Sequence, residues 1–136
     1  MKFNIRKLNQ EDYDSILVDW WKDWRWTPPS KDFLPENGEG GFIVYEEDIP
    51  VCAGYIYLTN SKVGWCDWVV SNFKYKDKEK RRIALTQLVS TLTSALSIHG
   101  CKYSYALINS KSLMSIYKDV GYSEGDKYTK EMIKKL

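Results

Sequence analysis

Residues 41–72 read GFIVYEEDIPVCAGYIYLTNSKVGWCDWVVSN. Gly41 to Glu46 and Pro50 to Thr59 are apolar runs flanking the turn Glu47-Asp48, the pattern of an antiparallel hairpin. Asn60-Ser61-Lys62 makes a second turn. Val63 to Asn72, rich in valine and tryptophan, reads as the third strand of a meander. A long helix follows. Asp77 reads as its N-cap, and Leu85, Leu88, Val89, Leu92, Ala95 and Leu96 recur at helical period as far as Ile98. Gly100 stops it in the usual C-terminal position.

Upstream, Phe3 to Leu8 reads as a short strand. Asn9 or Gln10 then opens a helix with Glu11 and Asp12 in its first turn, where carboxylates favour the helix dipole. Tyr13, Ile16, Leu17 and Trp20 keep helical spacing to about Trp24, and Pro28-Pro29 ends any continuation. Thr27 to Gly41 is loop chemistry, with one helical turn expected at Ser30 to Leu34. Downstream, Lys102 to Asn109 reads as a strand. Ser110 or Lys111 starts a short helix carrying Leu113, Met114, Ile116 and Tyr117, which Gly121-Tyr122 ends. A last strand is expected within Tyr128 to Ile133. A meander followed by strand, helix and strand predicts one α/β (α+β) domain over residues 1–136. Its mixed, mostly antiparallel sheet has about six strands, with helices on both faces.

The chain's 136 residues suffice for a substantial core. A net charge of only +2 gives no electrostatic case for nucleic acid or an anionic membrane as partner. The N-terminus has no apolar core of signal-peptide length, and no run is long enough to span a bilayer, so a cytoplasmic location is expected. Cys52, Cys66 and Cys101 fit no zinc spacing and read as small buried hydrophobes, so no metal is expected. His99, the sole histidine, sits beside Gly100 and is expected to interact with the helix C-terminus.

The segment Asn109-Ser110-Lys111-Ser112-Leu113-Met114-Ser115-Ile116-Tyr117-Lys118-Asp119-Val120-Gly121-Tyr122 resembles the GNAT N-acetyltransferases. That family carries an asparagine, a helical turn and then Tyr-x-x-x-Gly-Phe. Tyr122 replaces the phenylalanine, and Asn109 lies one residue further from the tyrosine than is usual. Gly41 to Glu46 with Pro50 to Tyr55 resembles the family's central strand pair. Asp32-Phe33-Leu34-Pro35-Glu36, with the tryptophans before it, resembles a small bacterial and phage subgroup. The family's Arg/Gln-x-x-Gly-x-Gly/Ala motif aligns with Glu79, Lys80, Arg81, Arg82, Ile83 and Ala84, of which only Ala84 matches. The glycines of that motif let backbone N–H groups approach a pyrophosphate.

The resemblance implies acetyl-CoA as co-substrate and a small-molecule or peptidyl amine as acceptor. It is compatible with a homodimer. It places Val69, Val70 and Ser71 against the pantetheine arm, Asn109 near that arm, and Lys80, Arg81, Arg82, Ile83 and Ala84 at the pyrophosphate. The bland alternatives are core strand residues, a turn or cap asparagine, and a solvated helix face. Tyr117 matches the tyrosine that protonates the leaving thiolate; helical spacing from Leu113 equally makes it a core aromatic. Asp67 lies on the strand that carries an acidic base in the family; otherwise it is an edge aspartate paired with a lysine. Trp20, Trp21, Trp24 and Trp26 divide between core, a wall of the acceptor pocket and an interface patch. Two functions follow: an acetyl-CoA-dependent N-acetyltransferase, or an inactive interaction or structural module of the same fold.

Overall fold

The computed structural model describes residues 2–136. Five strands form one sheet in the order β1 (Phe3–Lys7), β2 (Gly41–Glu46), β3 (Ile49–Leu58), β4 (Val63–Ser71) and β5 (Tyr103–Tyr105). The first four pair antiparallel, and β5 runs parallel to β4. A π-helical turn at Tyr13–Leu17 leads into α1 (Val18–Asp23), which covers one face with the short turns at Lys31–Phe33 and Pro35–Gly38. On the other face lie α2 (Lys78–Ile98) and α3 (Lys111–Val120). The mixed α/β sheet with helices on both faces is the expected architecture.

Each face has its own core. Val44, Val51, Cys52 and Cys66 point towards Leu88, Val89, Leu92 and Leu96 of α2 and Ile116 and Tyr117 of α3. Ile43, Ala53, Tyr55 and Val70 point the other way, towards Leu17, Trp20, Trp21 and Leu34. Ile43 and Val44, like Cys52 and Ala53, alternate between the two clusters, the strand period of two filled on both sides; Val51 joins Cys52 on the α2 face where the register shifts between Val44 and Tyr45.

The entry to the first helix is fixed by charge. Asn9 Oδ1 accepts from the backbone N–H groups of Glu11 and Asp12, and Asp12 Oδ2 accepts from Asn9 N–H at 2.8 Å. This reciprocal cap satisfies donors that a helix start leaves open. Asp12, 3% exposed, also takes a two-pronged bond from the Arg6 guanidinium on β1, at 2.8 and 2.9 Å. Burial alone would raise the Asp12 pKa, but Arg6 and the Asn9 amide outweigh it and hold the carboxyl below its ordinary value. At the far end of α2, His99 Nδ1 lies 2.8 Å from the Ala95 carbonyl, the C-terminal interaction expected of it.

Two expectations are corrected. Tyr128 to Ile133 forms no strand, so the sheet has five strands among the described residues. A sixth strand needs a ladder to join, and β5 offers only three residues of edge. The strand expected over Lys102 to Asn109 is confined to Tyr103–Tyr105, although Ala106 and Ile108 still pack against the α2 core.

Two glycines set how closely the central strands approach. A Cβ on Gly41 would lie 1.9 Å from the carbonyl oxygen of Gly54, which is backbone. A Cβ on Gly54 would instead meet the Leu92 side chain at 2.8 Å and the Val69 side chain at 3.0 Å. Side chains yield more readily than a sheet backbone. Gly54→Ala is therefore expected to cost about 1–3 kcal/mol of unfolding free energy, and Gly41→Ala more than that. Denaturant melts of the two variants check the order; equal losses would refute it.

Candidate active site at the divergence of β4 and β5

β4 and β5 pair at Val63↔Tyr103, Gly64↔Ser104 and Trp65↔Tyr105, and then separate. From Cys66 to Ser71, β4 has no strand on its β5 side. A bulge accompanies this change. Ala53 pairs with Val70 and Tyr55 with Asp67, so Trp68 and Val69 stand opposite Gly54 alone. Trp68 takes a left-handed φ of 54°, a conformation costing an ordinary L-residue about 1–2 kcal/mol. Packing holds it there. The Trp68 ring meets Trp21 and Phe33 edge-on, at 6.1 and 5.9 Å between centroids. Val69 fills the space left by the missing side chain of Gly54.

Asp67 sits at the point of separation, half-buried. Its Oδ1 accepts the Trp68 backbone N–H at 3.0 Å. Burial pushes its pKa up to about 6; the N–H groups of Trp68 and Leu107 pull it back, and the charge of Glu131 adds to the rise. No lysine pairs with it, and it makes no salt bridge among the described residues. The paired-aspartate alternative is thus not what the structure contains. Beside it, Tyr57 donates to the Phe33 carbonyl, and its pKa is pushed up to about 12 by burial and then by the Asp67 charge.

Tyr117 reaches the same point of β4 from the opposite face. Its hydroxyl donates to the Cys66 carbonyl at 2.8 Å and lies 3.5 Å from Cys66 Sγ. The residue is 2% exposed, and burial, followed by the neighbouring Cys66, drives its pKa far above that of a free phenol. Tyr122, where the family pattern has phenylalanine, explains its own hydroxyl: it bonds Thr93 on α2 and Ser104 on β5. Asp67 and Tyr117 are thus brought to adjacent residues of one strand, on opposite faces.

Of the residues assigned to a coenzyme arm, Val69 packs towards α2 and Val70 is buried on the α1 face. The Ser71 carbonyl accepts the Trp24 indole N–H at 2.8 Å. Asn109 is exposed before α3, and the capping role falls to Ser110, whose hydroxyl accepts from Leu113 N–H. The tryptophans divide. Trp20 and Trp21 are core, whereas Trp26 is 52% exposed and stacks on Trp24, which in turn meets Phe73 edge-on.

The segment from Glu79 to Ala84 is wholly helical. α2 starts at Lys78, so the aligned motif positions run from its first turn into its second. Only the first few N–H groups of a helix are free, and that of Lys80 is already taken by Asp77 Oδ1 at 3.1 Å. Lys80 Nζ lies 3.0 Å from Glu46, which also accepts from Tyr75. Arg82 bonds Asp119 at 2.6 Å and Ser115 at 2.9 Å. Ile83 is exposed and Ala84 fully buried. Arg81 retains a buried Nε without a partner. β4 is unpaired on its β5 side from Cys66 to Ser71; at the start of α2 the Lys80 N–H is held by Asp77, and side chains stand where the family pattern has glycine.

This sheet, with its bulged and splayed β4, is the fold of the GNAT acetyltransferases. No protein-family model matches the chain, and no curated protein sequence matches it. Solved structures do. Glucosamine-6-phosphate N-acetyltransferase from Arabidopsis thaliana superposes with a TM-score of 0.67 at 15% identity, over 98% of this chain and 100% of that one. The NatC complex bound to Gag peptide and CoA gives a TM-score of 0.71 at 14% identity, covering 93% of this chain and 87% of that one. An aminoglycoside N-acetyltransferase in complex with CoA gives 0.62 at 13% identity, with 97% and 95% covered.

The Tyr117 hydroxyl is engaged, not idle, which changes what its removal should do. Tyr117→Phe leaves the buried Cys66 carbonyl without its donor and is expected to lower unfolding free energy by about 1–3 kcal/mol. An unchanged melting midpoint together with a large loss of turnover would instead mark a free proton donor.

Proposed function

We propose that the protein is an N-acyltransferase that moves an acetyl group from a pantetheine thioester to an amine, with Asp67 as general base. The observation that carries this reading is Asp67 itself, a carboxylate without a cationic partner among the described residues, at the point where β4 leaves β5, with its pKa raised to about 6. A base poised near neutral pH is what deprotonation of an attacking amine requires. Val69, Val70 and Ser71 of the unpaired β4 reach are assigned to the arm of the donor, with Asn109 at its margin. When bound, the thioester would supply an electrophilic carbonyl carbon whose C–S bond breaks as the N–C bond forms, and a thiolate that takes up a proton from solvent.

The chain's own residues do the rest. Asp67 accepts the proton that the amine nitrogen loses. The ring wall of Phe33, Trp68 and Tyr57 lies on the same face and screens Asp67 from water, which keeps its proton affinity high. Aromatic faces also attract a cationic amine. Tyr117 is assigned the role of a positioning residue: by holding the Cys66 carbonyl it fixes the strand next to Asp67. The second reading, a module without catalysis, is favoured by one observation only, the absence of the motif glycines at the start of α2.

The test is a pH profile. An amine panel read by thiol release should show kcat/KM rising with pH through about 6, the limb expected of an ionising base. Asp67→Asn should remove that limb and cut turnover about 10²–10⁴-fold. A stability readout has a definite sign as well. With its folded pKa raised, Asp67 binds more protons folded than unfolded between about pH 4 and 6, so stability falls as pH rises through that window. The asparagine variant should lack this fall. A wild-type profile that is flat near pH 6, with full activity in the variant, would remove Asp67 from the chemistry.

A further inference from the structure

We infer that Trp24 is a specificity-determining residue for the acyl donor, an inference that rests on the function proposed above. Its indole occupies the last backbone carbonyl on the open edge of β4, so the strand offers the donor arm a single carbonyl beyond Trp68. Peptide geometry fixes which way these groups point. Asn72 N–H donates to the Val51 carbonyl on β3 at 2.8 Å. The Ser71 carbonyl belongs to the same planar trans peptide and therefore points the opposite way, towards the β5 side. β5 has separated by then, and the Trp24 indole N–H donates to that carbonyl at 2.8 Å.

Val69 differs. Val70 stands opposite Ala53, and Ser71 opposite Cys52. Antiparallel pairs alternate in their hydrogen bonding, so Val70 turns its N–H and carbonyl to β3, while the Val69 carbonyl and the Ser71 N–H face the open side. Among the described residues, no loop N–H and no side chain takes either group. Beyond Trp68 the open edge therefore has one carbonyl that can accept from a ligand and one that Trp24 has already filled.

Trp24 is fixed where it stands. α1 ends in a Schellman motif, with Trp26 N–H donating to the Trp21 carbonyl and Arg25 N–H to the Lys22 carbonyl, both at 2.9 Å. Such a motif needs a left-handed residue, and here it is Arg25, with a φ of 62° where glycine is usual. The turn lays the Trp26 ring along Trp24, and Phe73 meets Trp24 edge-on at 4.8 Å. Rings from two segments thus hold the indole against the end of β4. A pantetheine arm carries two amide N–H groups. One can donate to the Val69 carbonyl; the other finds the Ser71 carbonyl taken and gains no strand bond.

Calorimetry on the full chain tests this with two probes, pantetheine, which has two amides, and N-acetylcysteamine, which has one. Trp24→Phe keeps an aromatic ring and removes the indole N–H, which frees the Ser71 carbonyl. It should tighten pantetheine by about three- to tenfold, the worth of one added hydrogen bond, and leave N-acetylcysteamine within about twofold of wild type. An equal change for both probes, or no gain for pantetheine, would overturn the inference while leaving the proposed function standing. If neither probe binds the wild-type protein, the proposed function falls and the inference with it. A second measurement needs no variant. The Trp24 indole N–H, assigned by NMR through its contact with Phe73, should keep its slow hydrogen exchange when the wild-type protein is saturated with pantetheine. Exchange as fast as that of an exposed indole would mean that the donor displaces Trp24 from Ser71, which contradicts the inference.

Discussion

The bulge in β4 is the constraint on which the rest of the site depends. An unbulged β4 would continue its pairing register with β3 and keep its side chains in strict alternation. Two residues opposite Gly54 break that alternation, and Trp68 adopts a left-handed backbone to do so. The strain is offset by packing on both faces, Trp68 against Trp21 and Phe33, Val69 into the space at Gly54. Strain of this kind persists only where its surroundings over-determine it, and it concentrates at functional positions. Here it coincides with the loss of β5 pairing and with an aspartate of shifted pKa.

The second consequence concerns the two sides of the sheet. Tyr117 secures the Cys66 carbonyl from the α3 face, while Asp67 opens onto the α1 face one residue later. The ion pairs at the start of α2 serve the fold: Lys80–Glu46 ties α2 to β2, and Arg82–Asp119 ties α2 to α3. Exposed pairs of this type contribute little each.

Much of the fold was legible in the sequence because it rests on local patterns. The apolar runs around Glu47-Asp48, the Asp77 cap, the α2 stripe and the Gly100 stop each have a short-range cause, and each appears where that cause puts it. The missing sixth strand was not legible, since it depends on how long an edge β5 leaves. Asp67 was visible as an acid flanked by Cys66 and Trp68, but the bulge that gives it its setting was not. It needs the pairing register and the missing side chain at Gly54, neither of which leaves a spacing signal. The basic run from Lys78 to Arg82 was legible as charge only. Its partners, Glu46 and Asp119, lie more than 30 residues away in the chain.

The most direct measurement is a carboxyl-carbon NMR titration of Asp67 in the folded protein, assigned with the Asp67→Asn variant. A carboxylate half-buried at the divergence of β4 and β5 should titrate with a midpoint of about 6. A midpoint near 3.9, the value of an unperturbed aspartate, would mean that the carboxylate is hydrated like any surface acid and that the bulge sets up no base.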